Sequence, residues 1–205
     1  MFVLNKLLTK KMPGHFSTIA LTLQPNRMKP YFKNPDELLS LCDHSDNEIG
    51  FMMRRLRVRE AVINRCSSVI LMTPDSSFYV QKRRNTKSWC PGYWDLTFGG
   101  LVRYGESYEE NARREVEEEL NIKNLALDPV YKFLFQDEAS NSKTWCQVFV
   151  GVYKSNIKAQ YEEVECVSLM TKREILERIK KGEKFTPDSR MAWEGLLQRF
   201  GISPE

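Results

Sequence analysis

The sequence predicts an α/β fold in which strands and helices pack in layers within one domain, and three observations lead to this fold class. The chain has 205 residues, which is enough for one ordinary domain with modest additions. Hydrophobic residues make up 41% and charged residues 28%, close to the average for globular proteins, so neither a disordered nor a fibrous chain is indicated. Short apolar runs are mixed with helical patterns, which favours a layered α/β fold over an all-β barrel.

Residues 1–35 form a basic leader that contains no acidic residue. It carries six of the 31 lysines and arginines, and Leu4, Leu7 and Leu8 share one helical face. This composition is typical of an organelle transit peptide, and a disordered tail is the alternative. We therefore expect the protein in the cytoplasm or the mitochondrial matrix, with the folded domain at residues 36–205.

The body of the chain carries no excess of positive charge. Residues 36–205 hold 25 basic and 27 acidic residues, because six of the 31 basic residues lie in the leader. Such a surface does not neutralise many phosphates, so no nucleic-acid partner is expected. No apolar run approaches the ~18–20 residues that cross a bilayer, so no membrane span is expected either.

The cysteines and histidines limit the kind of metal site that the chain can form. Five cysteines are scattered without a CxxC pair, and the only histidines are His15 and His44. We expect reduced, mostly buried thiols rather than a disulfide or zinc framework. A bound metal would therefore need oxygen ligands.

Two hairpins are predicted in the first half of the domain. Residues 37–55 contain two short apolar runs on either side of the polar turn 44–47. Runs at 69–72 and 78–81 flank a second turn signal at 73–77.

The remaining elements follow an aromatic-rich Pro/Gly turn at residues 89–94. We predict three further strands and two closing helices: strands at 127–135, 144–153 and 164–170, and helices at 172–181 and about 188–200.

Between these groups lies a helix with an unusual number of carboxylates. Ser107 and Glu110 have the spacing of a capping box, which predicts that a helix begins there. Its buried face is predicted by an apolar stripe with a spacing of four: Tyr108, Ala112, Val116 and Leu120. On one flank of this stripe, Glu115, Glu118 and Glu119 share an arc of ~100°.

The charges of this helix conflict with its stability. Six glutamates between residues 109 and 119 face only Arg113 and Arg114, and they are densest at the C-terminal end, where the helix dipole is already negative. Like charges three or four residues apart each cost about 0.2–0.5 kcal/mol. A hard cation such as Mg²⁺ would relieve the conflict, because it binds carboxylate oxygens and is commonly completed by substrate phosphates. A solvated acidic face is the alternative.

The spacing around the acidic cluster forms an extended motif. Its members are Gly100, Glu106, Arg114, Glu115, Val116, Glu118, Glu119 and Ile122. This array resembles the signature of the Nudix hydrolases, G-x5-E-x7-R-E-U-x-E-E-x-G-U, where U is a bulky aliphatic residue. Asn121 stands where the family has glycine. We expect this departure to cost stability or turn precision and to spare the site, since the left-handed residue after a helix is most often Gly and next Asn.

The resemblance implies a fold, a reaction and a set of site residues. A Nudix fold is an α/β/α sandwich with a mixed sheet, and the family hydrolyses a diphosphate linked to another moiety. Arg114 would orient the glutamates and Glu106 would support the loop before the helix. The implied ligands of Mg²⁺ or Mn²⁺ are Glu115, Glu118, Glu119 and the carbonyl of Gly99.

A divalent ion at this cluster would neutralise charge on the bridging phosphates and acidify an attacking water. Glu118 and Arg114 are therefore the catalytic candidates within the motif. In this family the general base lies outside the motif, and its position varies among members. Our candidate is Glu163, with Glu162 and Glu165 as rivals.

Further similarity covers roughly residues 36–200. It involves Arg65 and the segments 80–84, 91–95 and 185–189, and it resembles the branch related to isopentenyl-diphosphate isomerase.

The basic residues of this branch are candidate ligands for substrate phosphates, namely Lys82, Arg84 and Arg65. Strand alternation lets either Lys82 and Arg84 or Arg83 face a site, but not all three.

Two other functions fit the resemblance. The isomerases place a cysteine and a histidine just after the tryptophan that corresponds to Trp94, and here those positions hold Gly99 and Leu101, which cannot transfer protons. A non-catalytic ligand-binding module usually lacks motif glutamates, which are all present here. The sequence therefore predicts a metal-dependent hydrolase that cleaves the pyrophosphate bond of a nucleoside-diphosphate derivative or a related organic diphosphate.

Overall fold

Strands and helices account for most of the residues that the computed structural model describes, which are 36–59, 62–137, 142–155, 157 and 164–201. The strands are β1 (Leu38–Cys42), β2 (Glu48–Met53), β3 (Ile63–Met72), β4 (Phe78–Arg83), β5 (Trp94–Asp95), β6 (Phe98–Leu101), β7 (Leu127–Asp137), β8 (Ser142–Val152) and β9 (Val164–Met170). The helices are α1 (Tyr108–Leu120), α2 (Lys172–Lys180), α3 (Pro187–Arg199) and a 3-10 helix at Arg54–Arg59. The predicted leader lies outside the described residues.

Strand β3 is the centre of a mixed sheet. Strand β8 runs parallel to β3 along its whole length, from the pair Ile63 and Lys143 to the pair Met72 and Val152. The other edge of β3 pairs antiparallel with β1, β6 and β4 in turn. Strand β2 extends the sheet from β1, β7 extends it from β8, and β5 and β9 both pair with β4.

Helices cover both faces of this sheet. Alternate residues of β3 point to opposite faces, so Val69 and Leu71 join a core cluster with α1, whereas Ile70 joins a second cluster with α2 and α3. The second cluster contains the fully buried Trp193 of α3. The resulting α/β/α sandwich with a mixed sheet confirms the predicted fold class.

Strand β3 begins six residues before the predicted run at 69–72, so Arg65 lies inside this strand and not before it. The first half of β3 is polar, and its apolar pattern is therefore weak. The buried polar side chains are bonded to other elements: the Asn64 amide donates to the Ser40 carbonyl at 3.2 Å, and the Ser67 hydroxyl bonds Asn111 of α1. Such bonds offset the cost of burying polar groups in the middle of a sheet.

Two short strands, β5 and β6, were not predicted. Strand β6 contains the pair Gly99 and Gly100, which gives no strand signal. Gly99 has φ 144°, and a Cβ there would clash with the Ser67 carbonyl of β3. Glycine is therefore required for β6 to pair with β3 at this point. The first hairpin, the later strands and the two closing helices agree with the predictions within a few residues at their ends, and the second hairpin differs from its prediction at the start of β3.

Two expectations from composition can be compared with the described residues. The cysteines are free thiols, and Cys42, Cys66 and Cys146 are buried as predicted, whereas Cys166 is exposed on β9. None of the described helices is long and apolar enough to cross a membrane.

The end of α1 gives a prediction for stability. Asn121 adopts a left-handed conformation (φ 54°, ψ 33°), and its N–H donates to the Glu117 carbonyl at 2.9 Å. We expect Asn121→Ala to lower the free energy of unfolding by about 1 kcal/mol. The left-handed conformation is sterically unfavourable for alanine, whose side chain cannot form the local hydrogen bonds that are open to asparagine. We expect Asn121→Gly to be at least as stable as the wild type. Denaturant unfolding measures both, and equal stability of the two variants would contradict this account.

Candidate active site

Helix α1 begins and ends at the residues that its local chemistry predicts. The Ser107 hydroxyl accepts a hydrogen bond from the backbone N–H of Glu110, and the Glu110 carboxylate accepts one from the backbone N–H of Ser107. This capping box confirms the predicted start. The predicted stripe faces the sheet, with Ala112, Val116 and Leu120 fully buried. These contacts fix the rotation of the helix and therefore the direction of its carboxylates.

Glu115 and Glu119 point from α1 toward the two glycines of β6. Glu115 is only 2% exposed and Glu119 only 6%. The backbone N–H of Gly99 donates to Oε2 of Glu119 at 3.3 Å. A Cβ on Gly100 would lie 2.9 Å from the carboxyl carbon of Glu115, so the absence of a side chain at this position makes room for that carboxylate. Strand and helix thus bring two buried carboxylates to one dipeptide.

Arg114 joins the loop before α1 to the acidic cluster. It makes a bidentate ion pair with Glu106, in which Nε donates to Oε1 at 2.7 Å and Nη2 donates to Oε2 at 3.1 Å. Its Nη1 donates to Oε1 of Glu115 at 2.8 Å and to Oε2 of Glu118 at 3.2 Å. Burial would lower the pKa of Arg114, but its hydrogen bonds and the charges of Glu106 and Glu115 raise it above its usual range. These contacts are those that an orienting arginine would make.

Glu118 is the most exposed of the three predicted ligands, with 34% of its side chain accessible. Besides Arg114 it faces Arg103, whose Nη2 lies 3.7 Å from Oε1 of Glu118. Glu117, on the other flank of the helix, is exposed and pairs with Lys123 at 3.3 Å. The structure thus separates Glu117 from the cluster, as the helical spacing predicts.

Sequence reasoning missed two residues next to this cluster, Arg103 and Glu37. Glu37 precedes β1 and is 8% exposed, and its carboxylate binds both Arg103 and Arg54. Because Glu37 and Arg103 are 66 positions apart, no local spacing connects them. In the sequence, Arg103 stands out only as an arginine between the motif residues Gly100 and Glu106.

The donor set fits a hard divalent cation. Within the described ranges, no three carboxylate, thiol or imidazole groups converge closely enough to hold an ion without other ligands. Mg²⁺ usually binds proteins through one or two carboxylates and completes its shell with water and substrate phosphates. Two buried carboxylates, Glu115 and Glu119, beside the main chain of Gly99 suit that requirement, with Glu118 at the exposed edge.

Two cations at the end of β4 contact an aromatic ring and a carboxylate. The ammonium of Lys82 lies 4.8 Å from the ring centre of Trp94, which belongs to the core under α2 and α3. Lys82 thus lies on the side of β4 where Trp94 packs, and its role as a substrate ligand stays a prediction. Arg83 pairs with the buried Asp95 of β5 at 3.3 Å. Arg84 follows the end of β4.

Arg65 is held by another acidic residue. Its Nε donates to Oδ1 of Asp46 at 2.7 Å, and its guanidinium lies 5.5 Å from the ring centre of Tyr108, the first residue of α1. The Tyr108 hydroxyl donates to the same Asp46 oxygen at 2.8 Å. This network ties the β1–β2 turn to the start of α1. Substrate binding by Arg65 stays a prediction.

The predicted general base lies outside the described residues. Glu163 and its rival Glu162 belong to the stretch before β9, and the second rival, Glu165, is exposed on β9. The role of each stays a prediction.

Comparison with known proteins identifies the family to which the chain is similar. The family model described as NUDIX domain matches residues 63–189. An uncharacterized Nudix hydrolase of Pseudomonas aeruginosa is 34% identical over 156 residues, which cover 76% of this chain and 90% of that protein.

Solved structures show the same fold. A protein of Deinococcus radiodurans superposes with a TM-score of 0.66 and 25% identity over 77% of this chain and 98% of that one. The dihydroneopterin triphosphate pyrophosphohydrolase of Escherichia coli superposes with a TM-score of 0.53 and 17% identity over 66% of this chain and 95% of that one. At this identity the second likeness concerns the fold.

The ion pair of Glu106 gives a prediction for the dependence of stability on pH. Burial acts to raise the pKa of Glu106, but hydrogen bonds from Arg114 and Asn111 and the charge of Arg114 hold it below its usual value of 4.5. We expect Glu106→Gln to lower the free energy of unfolding by about 1–2 kcal/mol at neutral pH. The difference from the wild type should shrink as the pH falls below 4.5 and through the lowered pKa, because the wild-type carboxylate then becomes protonated as well.

Chemical denaturation at a series of pH values measures this difference. Glu109→Gln is the matched control, since Glu109 makes an exposed ion pair with Arg113 at 2.7 Å on the same helix. It should cost less than Glu106→Gln at neutral pH. A difference for Glu106→Gln that stays constant from pH 7 to pH 3 would contradict the ionic role of this carboxylate.

Proposed function

The chain belongs to the Nudix hydrolase family and is an enzyme of that type, and from this premise we propose that it cleaves the pyrophosphate bond of a nucleoside-diphosphate derivative or a related organic diphosphate with the help of Mg²⁺ or Mn²⁺. One observation carries the proposal: Glu115 and Glu119 are nearly completely buried, and both approach Gly99 and Gly100. Buried carboxylates are usually paired with cations or bound to metals. A small-molecule diphosphate is therefore the proposed partner.

The proposed ligands of the metal are Glu115, Glu118, Glu119 and the carbonyl of Gly99. Water and substrate phosphates would complete the shell, since no three acidic side chains of the described residues converge on one point by themselves. When bound, a divalent ion neutralises charge on the bridging phosphates and lowers the pKa of a coordinated water. The glutamates differ in burial, since Glu118 has 34% of its side chain exposed while Glu115 and Glu119 are buried. Glu118 is thus the carboxylate nearest to incoming substrate and solvent.

The other residues of the motif hold these carboxylates in place. Arg114 fixes one oxygen of Glu115 at 2.8 Å and is itself fixed by both oxygens of Glu106. A side chain held from two sides loses little further freedom when the substrate binds, which favours catalysis by pre-organisation. Glu163 is our proposed general base, with Glu162 and Glu165 as alternatives.

An isomerase function is less well supported. The positions that carry the proton-transferring cysteine and histidine in isopentenyl-diphosphate isomerases are Gly99 and Leu101 here, and both belong to β6. Gly99 has no side chain and Leu101 has no titratable group, so neither transfers a proton.

Two glutamates on opposite flanks of α1 provide a direct test of the proposed metal role. We expect Glu118→Gln to lower kcat by at least about 100-fold, since a lost metal ligand weakens transition-state charge stabilisation by several kcal/mol. Glu117→Gln changes the same functional group one position earlier, on the flank that faces Lys123. It should retain wild-type turnover.

Both variants would be assayed with a panel of nucleotide and organic diphosphates in the presence of Mg²⁺ or Mn²⁺, with the phosphate products quantified. The panel also identifies the preferred substrate. Wild-type turnover in Glu118→Gln, or an equal loss in Glu117→Gln, would contradict the assigned role.

A further inference from the structure

Arg103 is a cation at the edge of the proposed site that the motif does not assign. It follows β6 in the loop that leads to α1, and 36% of its side chain is exposed. Its Nη2 lies 3.7 Å from Oε1 of Glu118, which is close enough for an ion pair and too far for a hydrogen bond. The guanidinium therefore stands beside the most exposed carboxylate of the cluster.

Glu37 anchors this arginine from behind. The Glu37 side chain is 6% exposed, and its Oε1 accepts a hydrogen bond from Nε of Arg103. Its Oε2 accepts from Nε of Arg54 at 2.6 Å and is 2.5 Å from Nη2 of Arg54. One buried carboxylate thus holds two guanidinium groups, and this group of three side chains carries a net positive charge.

The unsatisfied part of this arrangement is the outer edge of Arg103. Glu37 accepts a hydrogen bond from Nε of Arg103 alone. Within the described part of the chain, neither Nη1 nor Nη2 of Arg103 makes a hydrogen bond. Arg54 differs, because it turns both Nε and Nη2 toward Glu37 and is only 18% exposed. The terminal nitrogens of a guanidinium form a fork that matches the oxygens of a phosphate.

Neutralising Glu118 does not explain this placement. Arg114 already donates to Glu118 at 3.2 Å, from the same helix and one turn away. An arginine whose only task was to balance that charge would not require a buried carboxylate that fixes its Nε and aims its other nitrogens outward.

We propose that Arg103 is a substrate-binding residue whose Nη1 and Nη2 donate hydrogen bonds to a phosphate group of the diphosphate, and that Glu37 is the positioning residue that aims it. The inference rests on the proposed function, because the phosphate is the one expected beside Glu115, Glu118 and Glu119. The loop between β6 and α1 then takes part directly in recognition of the anion.

The test uses methylenediphosphonate, in which a CH₂ group replaces the bridging oxygen and prevents hydrolysis. Its dissociation constant would be measured by titration calorimetry at a fixed Mg²⁺ concentration, for the wild type and for Arg103→Gln, Arg103→Lys and Glu37→Gln. We expect Arg103→Gln to weaken binding about 10–100-fold, in line with the loss of charge-assisted hydrogen bonds. Arg103→Lys should recover part of the affinity, since it keeps the charge without the fork.

Glu37→Gln should weaken diphosphonate binding less than Arg103→Gln, because the guanidinium remains but is less well aimed. Mn²⁺ binding without diphosphonate, measured by electron paramagnetic resonance, should not be weakened in Arg103→Gln, because the proposed metal ligands are unchanged. For the substrate found with the panel, Arg103→Gln should raise KM.

Arg54→Gln is the matched control, since it removes the other arginine on Glu37. It should lower the melting temperature while changing the diphosphonate dissociation constant by less than about twofold, because Oε1 of Glu37 still accepts from Nε of Arg103. Equal weakening in Arg54→Gln and Arg103→Gln would overturn the proposal, because the effect would then come from the fold around Glu37. Wild-type affinity in Arg103→Gln would overturn it as well. If the wild type itself binds no diphosphonate with Mg²⁺, the proposed function fails, which is a different result from failure of Arg103 alone.

Discussion

The close approach of helix α1 to strand β6 is the constraint on which the site depends. Two consecutive glycines of β6 shape this region, and each makes room for a different neighbour. Gly99 lets β6 pair with β3 where a Cβ would meet the Ser67 carbonyl, and Gly100 leaves room for the Glu115 carboxylate. The apolar stripe of α1 then fixes the helix on the sheet, so that Glu115 and Glu119 are buried against the same dipeptide.

Such a placement would be costly without nearby positive charge, since buried carboxylates lose their hydration. The chain supplies cations from two directions. Arg114 reaches Glu115 and Glu118 from the helix itself and is held by Glu106, while Arg103 approaches Glu118 from the preceding loop and is held by Glu37. Each arginine is thus fixed by an acidic residue outside the cluster. A divalent ion with its substrate phosphates would add further positive charge beside the same carboxylates.

Sequence reasoning predicted the features of α1 because they depend on short-range spacing. The capping box at Ser107 and the buried stripe follow from residues three or four positions apart, and the left-handed Asn121 follows from its place just after the helix, where the motif has glycine. The structure confirms all three. The contacts of Glu37 could not be predicted, since they join residues 17 and 66 positions apart. The start of β3 was missed because its buried polar residues are satisfied by bonds to β1 and α1, which an apolar pattern does not reveal.

We propose that the carboxylates of α1 and the glycines of β6 form a site for a divalent cation. Titration of Mg²⁺ and Mn²⁺ into the metal-free wild-type protein, followed by calorimetry and by the melting temperature, tests it most directly. We expect saturable heat and a melting temperature that rises with metal concentration, because an ion that binds only the folded state stabilises it by mass action. Neither heat nor a change in melting temperature at millimolar concentrations of both ions would contradict it.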